Sequence, residues 1–235
     1  MPVPHKPFDK VIAIDGPSGS GKSTIAKELA RSLNVLYIDT GAMFRALAYE
    51  ASEKKIVLKE GPALAEFLNS LKIDYGESDS VLIRINGHDL SEKIREHHVS
   101  GLASVISQLP SVRKYLLDFQ RSLALDKICV MEGRDIGTVV FPDSFCKFFV
   151  TASVDIRAER RLKQLRENGD DKITLNQIAE DVRLRDETDM NRSVAPLKKA
   201  DDAITLDTSA LNMNDIIHIL SNEVKFRAAH LGFNL

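Results

Sequence analysis

The chain has 235 residues, a length that accommodates one α/β domain with a sizeable core and small additions. Its 32 basic and 34 acidic side chains give a formal net charge of −2, which argues against a dedicated nucleic-acid-binding protein because such proteins carry a basic excess. The first ten residues contain three prolines and no apolar segment, and no uncharged stretch is long enough to cross a bilayer, so we expect a cytoplasmic protein that binds no membrane.

Short apolar runs alternate with helical patterns along the chain. After a loose tail at 1–10, residues 11–14 predict a strand buried on both faces, 22–33 predict a helix and 35–38 predict a second strand. Further buried strands are predicted at 128–131, 145–150 and 203–206, and further helices at 41–52, 62–71, 99–125, 154–167, 175–185 and 212–230. This alternation predicts an α/β fold of three layers, with a parallel central sheet and helices on both faces.

One segment interrupts the alternation. Residues 73–75, 81–85 and 88–90 are extended in pattern, and Asn86-Gly87 between the last two is a strong hairpin signal because both residues accept positive φ. We interpret 41–110 as an inserted subdomain that carries a helical pair and this antiparallel hairpin. The core of a single domain, 1–235, would then comprise 10–40 and 111–235.

Residues 16–23, GPSGSGKS, match the phosphate-binding pattern G-x-x-x-x-G-K-[ST]. Glycines in such a loop let successive backbone N–H groups point at an anion, and the helix that follows adds the positive end of its dipole. We expect Lys22 to reach the β- and γ-phosphates of a nucleotide and the Ser23 hydroxyl to ligate Mg²⁺. A glycine-rich turn with an incidental lysine is the alternative, but a strand before the motif and a helix after it favour the P-loop NTPase fold.

A P-loop alone does not separate kinases from GTPase switches or motor ATPases. The chain contains no Asn-Lys-x-Asp stretch for reading guanine and no long apolar strand ending in Asp-Glu. The choice therefore depends on the remaining polar clusters.

Two clusters follow predicted strands at the carboxyl edge of the sheet, where open α/β sheets bind ligands. In the first, residues 39–45, Thr40 is either a helix cap or a binding residue, and Arg45 lies one turn into the next helix. In the second, residues 131–137, two glycines stand beside three charges, which indicates a functional loop. A surface ion pair made by Arg134 is the alternative interpretation.

Arginine is concentrated in the C-terminal half. The residues are Arg157, Arg160, Arg161, Arg166, Arg183, Arg185 and Arg192. Arginine suits bidentate phosphate contact, so we interpret the two helices around the polar segment 166–174 as a lid, at about 157–192, that closes over a triphosphate; solvated helix faces are the alternative. The six histidines show no metal-ligand spacing.

Four motifs in order along the chain carry a resemblance: 14–23, 39–45, 132–143 and 185–197. Together they resemble the bacterial cytidylate kinase family, and the resemblance extends from residue 12 to about 208. It implies phosphoryl transfer from ATP, with Mg²⁺, to CMP and dCMP. The alternatives that we retain are a P-loop kinase for another nucleoside monophosphate or small metabolite, and a nucleotide-binding switch.

The resemblance also implies a role for each matching residue. Arg45, Arg134 and Arg192 would bind the acceptor phosphate, Ser104, Arg113 and Asp135 would read the cytosine edge, and Arg185 and Asp189 would hold the acceptor sugar. Thr40 is added to the acceptor residues, and Glu132 to the metal shell through water. The expected catalytic residues are Lys22, Arg134, Arg192 and Arg161. The expected ATP-binding residues are Gly16, Pro17, Ser18, Gly19, Ser20, Gly21, Lys22, Ser23, Thr24 and Arg157. A monomer is expected because no strongly apolar exposed helix face is evident.

Overall fold

The structure is a computed structural model that describes residues 10–76, 81–167, 173–232 and 235, except for the side chain of His97. The tail predicted at 1–10 lies almost wholly outside the described residues, as does most of the polar segment 166–174. The chain divides into two compact units, one formed by 39–122 and the other by the residues before and after it. The predicted insertion, 41–110, lies within the first of these units.

The strands in chain order are β1 (Val11–Asp15), β2 (Leu36–Asp39), β3 (Ile73–Tyr75), β4 (Ile83–Ile85), β5 (His88–Asp89), β6 (Cys129–Gly133), β7 (Cys146–Thr151) and β8 (Ile204–Asp207). The helices are α1 (Lys22–Leu33), α2 (Thr40–Glu53), α3 (Pro62–Asn69), α4 (His97–Ile106), α5 (Pro110–Leu123), α6 (Val154–Glu167), α7 (Leu175–Asn191) and α8 (Met213–His230). A short 3₁₀ turn at Lys93–Arg95 and a π-helical turn at Ile136–Val140 complete the list.

The larger unit is built on a five-stranded parallel sheet with the order β2-β6-β1-β7-β8. β1 occupies the centre, where Val11 pairs with Cys129 on one side and Ile12 pairs with Cys146 on the other. All five residues of β1 are buried, because a central parallel strand is covered on both faces, and the four residues before Asp15 are accordingly a continuous apolar run. The predicted α/β fold with a parallel central sheet is confirmed.

One face of this sheet is covered by α1 and α8. Ile25 and Leu29 of α1, with Leu220 of α8, belong to a buried cluster that includes Ile12 of β1 and Phe148 of β7. The apolar residues of α1 recur at the three- and four-residue spacing that places them on one side of a helix. This packing holds the N-terminal end of α1 beside the carboxyl ends of the strands.

The smaller unit, 39–122, contains α2 to α5 and a three-stranded antiparallel sheet, β3-β4-β5. Asn86 and Gly87 connect β4 to β5 with φ values of 51° and 82°, so the predicted hairpin is confirmed. Met43 and Leu47 of α2 are fully buried, as is Ile83 of β4.

Three details differ from the sequence-based predictions. The helix predicted at 175–185 extends to Asn191. The helix predicted at 99–125 is two helices, α4 and α5, because Pro110 disfavours helical backbone in the residue before it and starts a new helix at its own position. The cap of α2 is Asp39 rather than Thr40: the Asp39 carboxylate accepts the backbone N–H of Ala42 at 2.9 Å, while Thr40 is already the first helical residue. Of the described residues, no helix is long and apolar enough to span a membrane.

Candidate functional site: the phosphate loop and its arginine cluster

The phosphate loop connects β1 to α1 and depends on three glycines with positive φ. These are Gly16 at 155°, Gly19 at 75° and Gly21 at 85°. A Cβ on Gly16 would lie 2.0 Å from the carbonyl oxygen of Val150, so the loop leaves the sheet in direct contact with β7. The backbone turn that the sequence predicted for residues 16–23 is therefore present and tightly fixed at its start.

Lys22 folds back over this loop. Its ammonium donates a hydrogen bond to the carbonyl oxygen of Pro17 at 3.0 Å, and only 6% of the residue is exposed. Burial lowers the pKa of Lys22 to about 7, and the nearby charges of Arg134 and Arg185 act in the same direction, although Glu132 opposes them. Such a concentration of positive charge around a lysine suits a site that binds a polyanion.

The second cluster follows β6, where Arg134 and Asp135 precede the π-helical turn. Arg134 Nε donates to Asp189 of α7 at 2.8 Å, and Arg192 lies 3.6 Å from Asp135 and 3.8 Å from Asp189. Burial acts to raise the pKa of Asp189, but the charges of Arg134, Arg185 and Arg192 hold it below its ordinary value. The structure thus brings together four of the predicted acceptor-binding residues and places a fifth, Arg185, within electrostatic reach.

Asp15, for which the sequence analysis predicted no role, connects the start of the phosphate loop to the turn after Arg134 and Asp135. Its carboxylate accepts the backbone N–H of Ile136 at 2.8 Å and that of Gly137 at 2.7 Å. Burial raises the pKa of Asp15 to about 7, although these two hydrogen bonds oppose the change. The sequence signals were its place in the first resemblance motif and its position as an acidic residue at the end of a buried apolar strand.

Arg157, predicted to bind ATP, is held by protein groups. Its guanidinium forms two hydrogen bonds with the Asp186 carboxylate, at 2.9 and 2.6 Å, and donates to the carbonyl oxygens of Ser18 and Ala152 at 3.0 Å each. Arg157 is 3% exposed and Asp186 is 9% exposed. The pair connects α6 and α7 to the phosphate loop, and Asp186 is a second residue that the sequence analysis missed.

Arg160 provides another support for the loop. It donates to the carbonyl oxygen and to the hydroxyl of Thr208, at 2.8 and 3.1 Å, and the Thr208 hydroxyl donates to the carbonyl oxygen of Ser20 at 3.1 Å. By contrast, Arg161, predicted to be catalytic, donates to the side-chain oxygen of Gln164 of the same helix at 2.7 Å. Of the arginines in the predicted lid, Arg157 and Arg160 contact the phosphate loop directly.

A metal site can be assessed from the donor groups. Among the described residues, no group of three or more His, Cys, Asp or Glu side chains could hold a metal ion. Ser23 and Thr24 are exposed at the start of α1, and the buried Glu132 accepts a hydrogen bond from Tyr37 at 2.8 Å. This sparse donor set fits Mg²⁺, which keeps several water ligands and binds through substrate phosphates rather than within a protein cage.

In the smaller unit, the predicted residues lie on α2 and on the helical pair that follows the small sheet. Arg45 pairs with Asp39 at 2.9 Å, and the hydroxyl of Tyr75 accepts the backbone N–H of Asp39 at 2.7 Å. Thr40 is buried next to this pair. The Asp39 carboxylate holds Arg45 at the N-terminal end of α2.

Arg113 is nearly buried in α5. It donates to the carbonyl oxygen of Ser107 at 3.1 Å, and its guanidinium carbon lies 5.3 Å from the centre of the Phe44 ring, within the range of a cation–π contact. Ser104 lies one turn before Ser107, and its carbonyl oxygen accepts the Ser107 hydroxyl at 2.9 Å. Ser104 and Arg113 thus lie on the consecutive helices α4 and α5 of the smaller unit.

Comparison with known proteins agrees with this geometry. The family model described as cytidylate kinase matches residues 12–226. The cytidylate kinase of Clostridium tetani is 44% identical over 215 residues, covering 92% of this chain and 93% of that protein. The cytidylate kinase of Halalkalibacterium halodurans is 43% identical over 217 residues, covering 92% of this chain and 97% of that protein.

Among solved structures, an uncharacterized protein from Eubacterium ventriosum is similar with a TM-score of 0.49 and 12% identity, covering 92% of this chain and 98% of that chain. That likeness is too weak to support a conclusion about function. The family model and the two relatives confirm the resemblance seen in the sequence: the chain belongs to the cytidylate kinase family.

Proposed function

We propose that the chain transfers the γ-phosphoryl group of ATP to CMP and to dCMP, producing ADP with CDP or dCDP. The observation that carries the proposal, beside family membership, is the closeness of Lys22 in the phosphate loop to Arg134 in the turn after β6. Lys22 belongs to the nucleotide-binding loop, and Arg134 belongs to the turn after β6, yet the charge of Arg134 helps to lower the pKa of Lys22. A donor phosphate bound by Lys22 and an acceptor phosphate bound by Arg134 would be neighbours.

The chemistry needs no general base. An anionic oxygen of the acceptor phosphate attacks the γ-phosphorus, the bond from that phosphorus to the bridging oxygen breaks, and its electron pair stays on ADP. Catalysis is then alignment and neutralisation of charge on the moving phosphoryl group, which Lys22, Arg134 and Arg192 would supply. This agrees with the absence of a histidine from the polar contacts of the two clusters in the described part of the chain.

Mg²⁺ belongs to this proposal as a ligand of the Ser23 hydroxyl, with Glu132 contributing through water. The ion would neutralise charge on the β- and γ-phosphates when bound. Ser23 stands at the N-terminus of α1 with its side chain exposed, as a metal ligand there requires. Tyr37 would orient Glu132 through its 2.8 Å hydrogen bond.

The acceptor assignments follow the family resemblance. We assign the acceptor phosphate to Arg45, Arg134 and Arg192, with Thr40 beside Arg45. The cytosine edge is assigned to Ser104, Arg113 and Asp135, since cytosine presents an amine to a carboxylate and acceptors to a hydroxyl or an arginine. The sugar is assigned to Arg185 and Asp189. Segment 41–110 would be the acceptor-binding subdomain, and 157–192 the lid that carries Arg157 and Arg161.

The test is release of ADP by the purified protein with ATP and Mg²⁺, with CMP, dCMP, UMP, AMP and shikimate offered separately. We expect turnover to be fastest with CMP and dCMP and to fall by at least about 100-fold in Lys22→Ala, because the lysine neutralises phosphate charge. Faster turnover with another acceptor would leave a P-loop kinase but remove the cytosine assignment. Slow ATP hydrolysis that no acceptor changes would contradict the kinase function. Light scattering on the same sample tests the expected monomer, and cell fractionation tests the cytoplasmic location.

A further inference from the structure

The segment that carries Arg134 and Asp135 continues through the π-helical turn to Pro142, and we call residues 134–142 the acceptor turn. Two charged side chains from the central strands hold it, one near each end. Asp15 bonds its beginning, at Ile136 and Gly137, and Lys147 bonds its end, at Pro142. The sequence analysis assigned no role to either charge.

At the beginning of the turn, both carboxylate oxygens of Asp15 accept a backbone hydrogen bond. The first N–H groups of a helical turn have no partner inside it, and here the backbone N–H groups of Ile136 and Gly137 donate to separate oxygens of Asp15, at 2.8 and 2.7 Å. The residue is only 5% exposed, so water competes poorly for these oxygens. Asp15 therefore caps a turn that lies about 120 residues away in sequence.

The contact at the end of the turn comes from the buried side chain of Lys147. Lys147, 6% exposed, donates to the carbonyl oxygen of Pro142 at 2.6 Å and pairs with Asp202 at 2.9 Å. Its aliphatic stem runs beneath the turn, since a Cβ on Gly137 would lie 3.1 Å from Lys147 Cδ and 3.4 Å from Asp15 Oδ2. The glycine lets the turn approach both charged side chains.

Asp15 is also the residue from which the phosphate loop departs. The next residue, Gly16, touches the carbonyl oxygen of Val150, and Asp15 itself is paired in register with Gly133 of β6 and Phe149 of β7. Its backbone thus has little freedom to shift within the sheet. The same residue fixes the start of the phosphate loop through its backbone and the start of the acceptor turn through its side chain.

We propose that Asp15 is a positioning residue for phosphoryl transfer, which sets the place of Arg134 and Asp135 relative to the phosphate loop. The inference rests on the proposed function, because it takes Arg134 to bind the acceptor. Asp15 makes no contact with the reacting atoms in this account. Its contribution is the alignment of two sites whose separation decides the rate, and a displacement of about 1 Å in such a site lowers the rate about 100-fold.

The variant Asp15→Asn tests the proposal in steady-state kinetics. The amide keeps one oxygen acceptor but turns an NH₂ group toward a backbone N–H, so one of the two hydrogen bonds is lost in a side chain of the same shape. We expect kcat to fall by about 10- to 100-fold and KM for CMP to rise, with KM for ATP within about twofold of wild type. Asp126→Asn, the same chemical change in an exposed turn, is the matched control and should match wild type.

The outcomes separate the alternatives. An unchanged kcat in Asp15→Asn would overturn the inference, as would a rise in KM for ATP as large as the fall in kcat, which would indicate a damaged phosphate loop instead. If wild type itself fails to phosphorylate CMP, the proposed function fails first, and the variant is not needed to show it.

A measurement on the wild-type protein covers the case in which the variant does not fold. The amide protons of Ile136 and Gly137, bonded to a buried carboxylate, should exchange slowly with solvent and resonate downfield in the NMR spectrum. Rapid exchange at both amides, at the rate of an open turn, would overturn the inference whatever the variant does.

Discussion

The buried pair between Arg157 and Asp186 provides a stability test with a magnitude that the structure sets. Both side chains are almost fully buried, and the guanidinium carries two hydrogen bonds to the carboxylate. Removing one partner of such a pair leaves an uncompensated buried charge and costs about 3–5 kcal/mol. We choose Asp186→Asn, whose amide oxygen still accepts one bond, so the expected loss is about 3 kcal/mol, at the lower end of that range.

Urea unfolding measures this loss of unfolding free energy, and thermal unfolding measures the accompanying fall in Tm. For a chain of this length, about 3 kcal/mol corresponds to a fall of about 6–12 °C in Tm. The matched control is Glu180→Gln, on the same helix, whose partner Arg183 lies 3.5 Å away with both side chains more than half exposed. That pair should contribute less than about 0.5 kcal/mol.

The double variant Arg157→Met, Asp186→Leu should recover much of the loss, because it removes both charges together. An unfolding free energy of Asp186→Asn within about 0.5 kcal/mol of Glu180→Gln would refute the argument. It would mean that solvent or another group compensates the Arg157 charge.

Two further predictions concern the loop and the thiols. Gly16→Ala should destabilise the protein by more than about 3 kcal/mol, since its Cβ would fall 2.0 Å from the carbonyl oxygen of Val150. Gly101→Ala, at an exposed position of α4 with open space around the Cβ, should instead stabilise the protein by about 0.5–1 kcal/mol. Thermal denaturation compares the two variants, and equal melting temperatures would contradict the loop geometry. Burial raises the pKa of Cys129 and of Cys146 to about 12, above the ordinary value of 9.0, so the folded protein keeps both thiols protonated and should lose their stabilising contribution as pH rises from about 9 toward 12. At pH 8 a thiol reagent should label neither cysteine in the native protein and both in urea, and rapid native labelling would show that these strands are accessible.

The strands and most helices were predictable because their signals are local. Residues 11–14 are apolar without interruption, a pattern typical of a strand covered on both faces. The glycines at 16, 19 and 21 stand where the backbone needs positive φ. The break before α5 was also visible, since Pro110 interrupts the helical pattern predicted at 99–125. The prediction of a single helix is wrong because the apolar spacing continues across Pro110 whereas the helical backbone does not.

The contacts that support the site were not predictable in the same way. Asp15 bonds backbone groups of residues 136 and 137, and Asp186 bonds an arginine 29 positions earlier. Both acidic residues lie within the motifs that carry the resemblance, but no spacing or motif indicates which group each of them contacts. The cap of α2 was a choice between two adjacent candidates, Asp39 and Thr40, that only the position of the first helical turn decides. Contacts between groups far apart along the chain are therefore the part of the site that the sequence does not predict.

The position of β1 at the centre of the larger sheet has a consequence for synthesis on the ribosome. Its two neighbours, β6 and β7, begin at Cys129 and Cys146, so the first strand to be made waits for more than one hundred residues before it has any partner. The intervening unit, 39–122, has its own core and its own small sheet, and it can form while β1 is still unpaired. Because Gly16 packs against the carbonyl oxygen of Val150, we expect the phosphate loop to take its final shape only after β7 has been synthesised, and a chain that stalls earlier to expose an unpaired apolar strand.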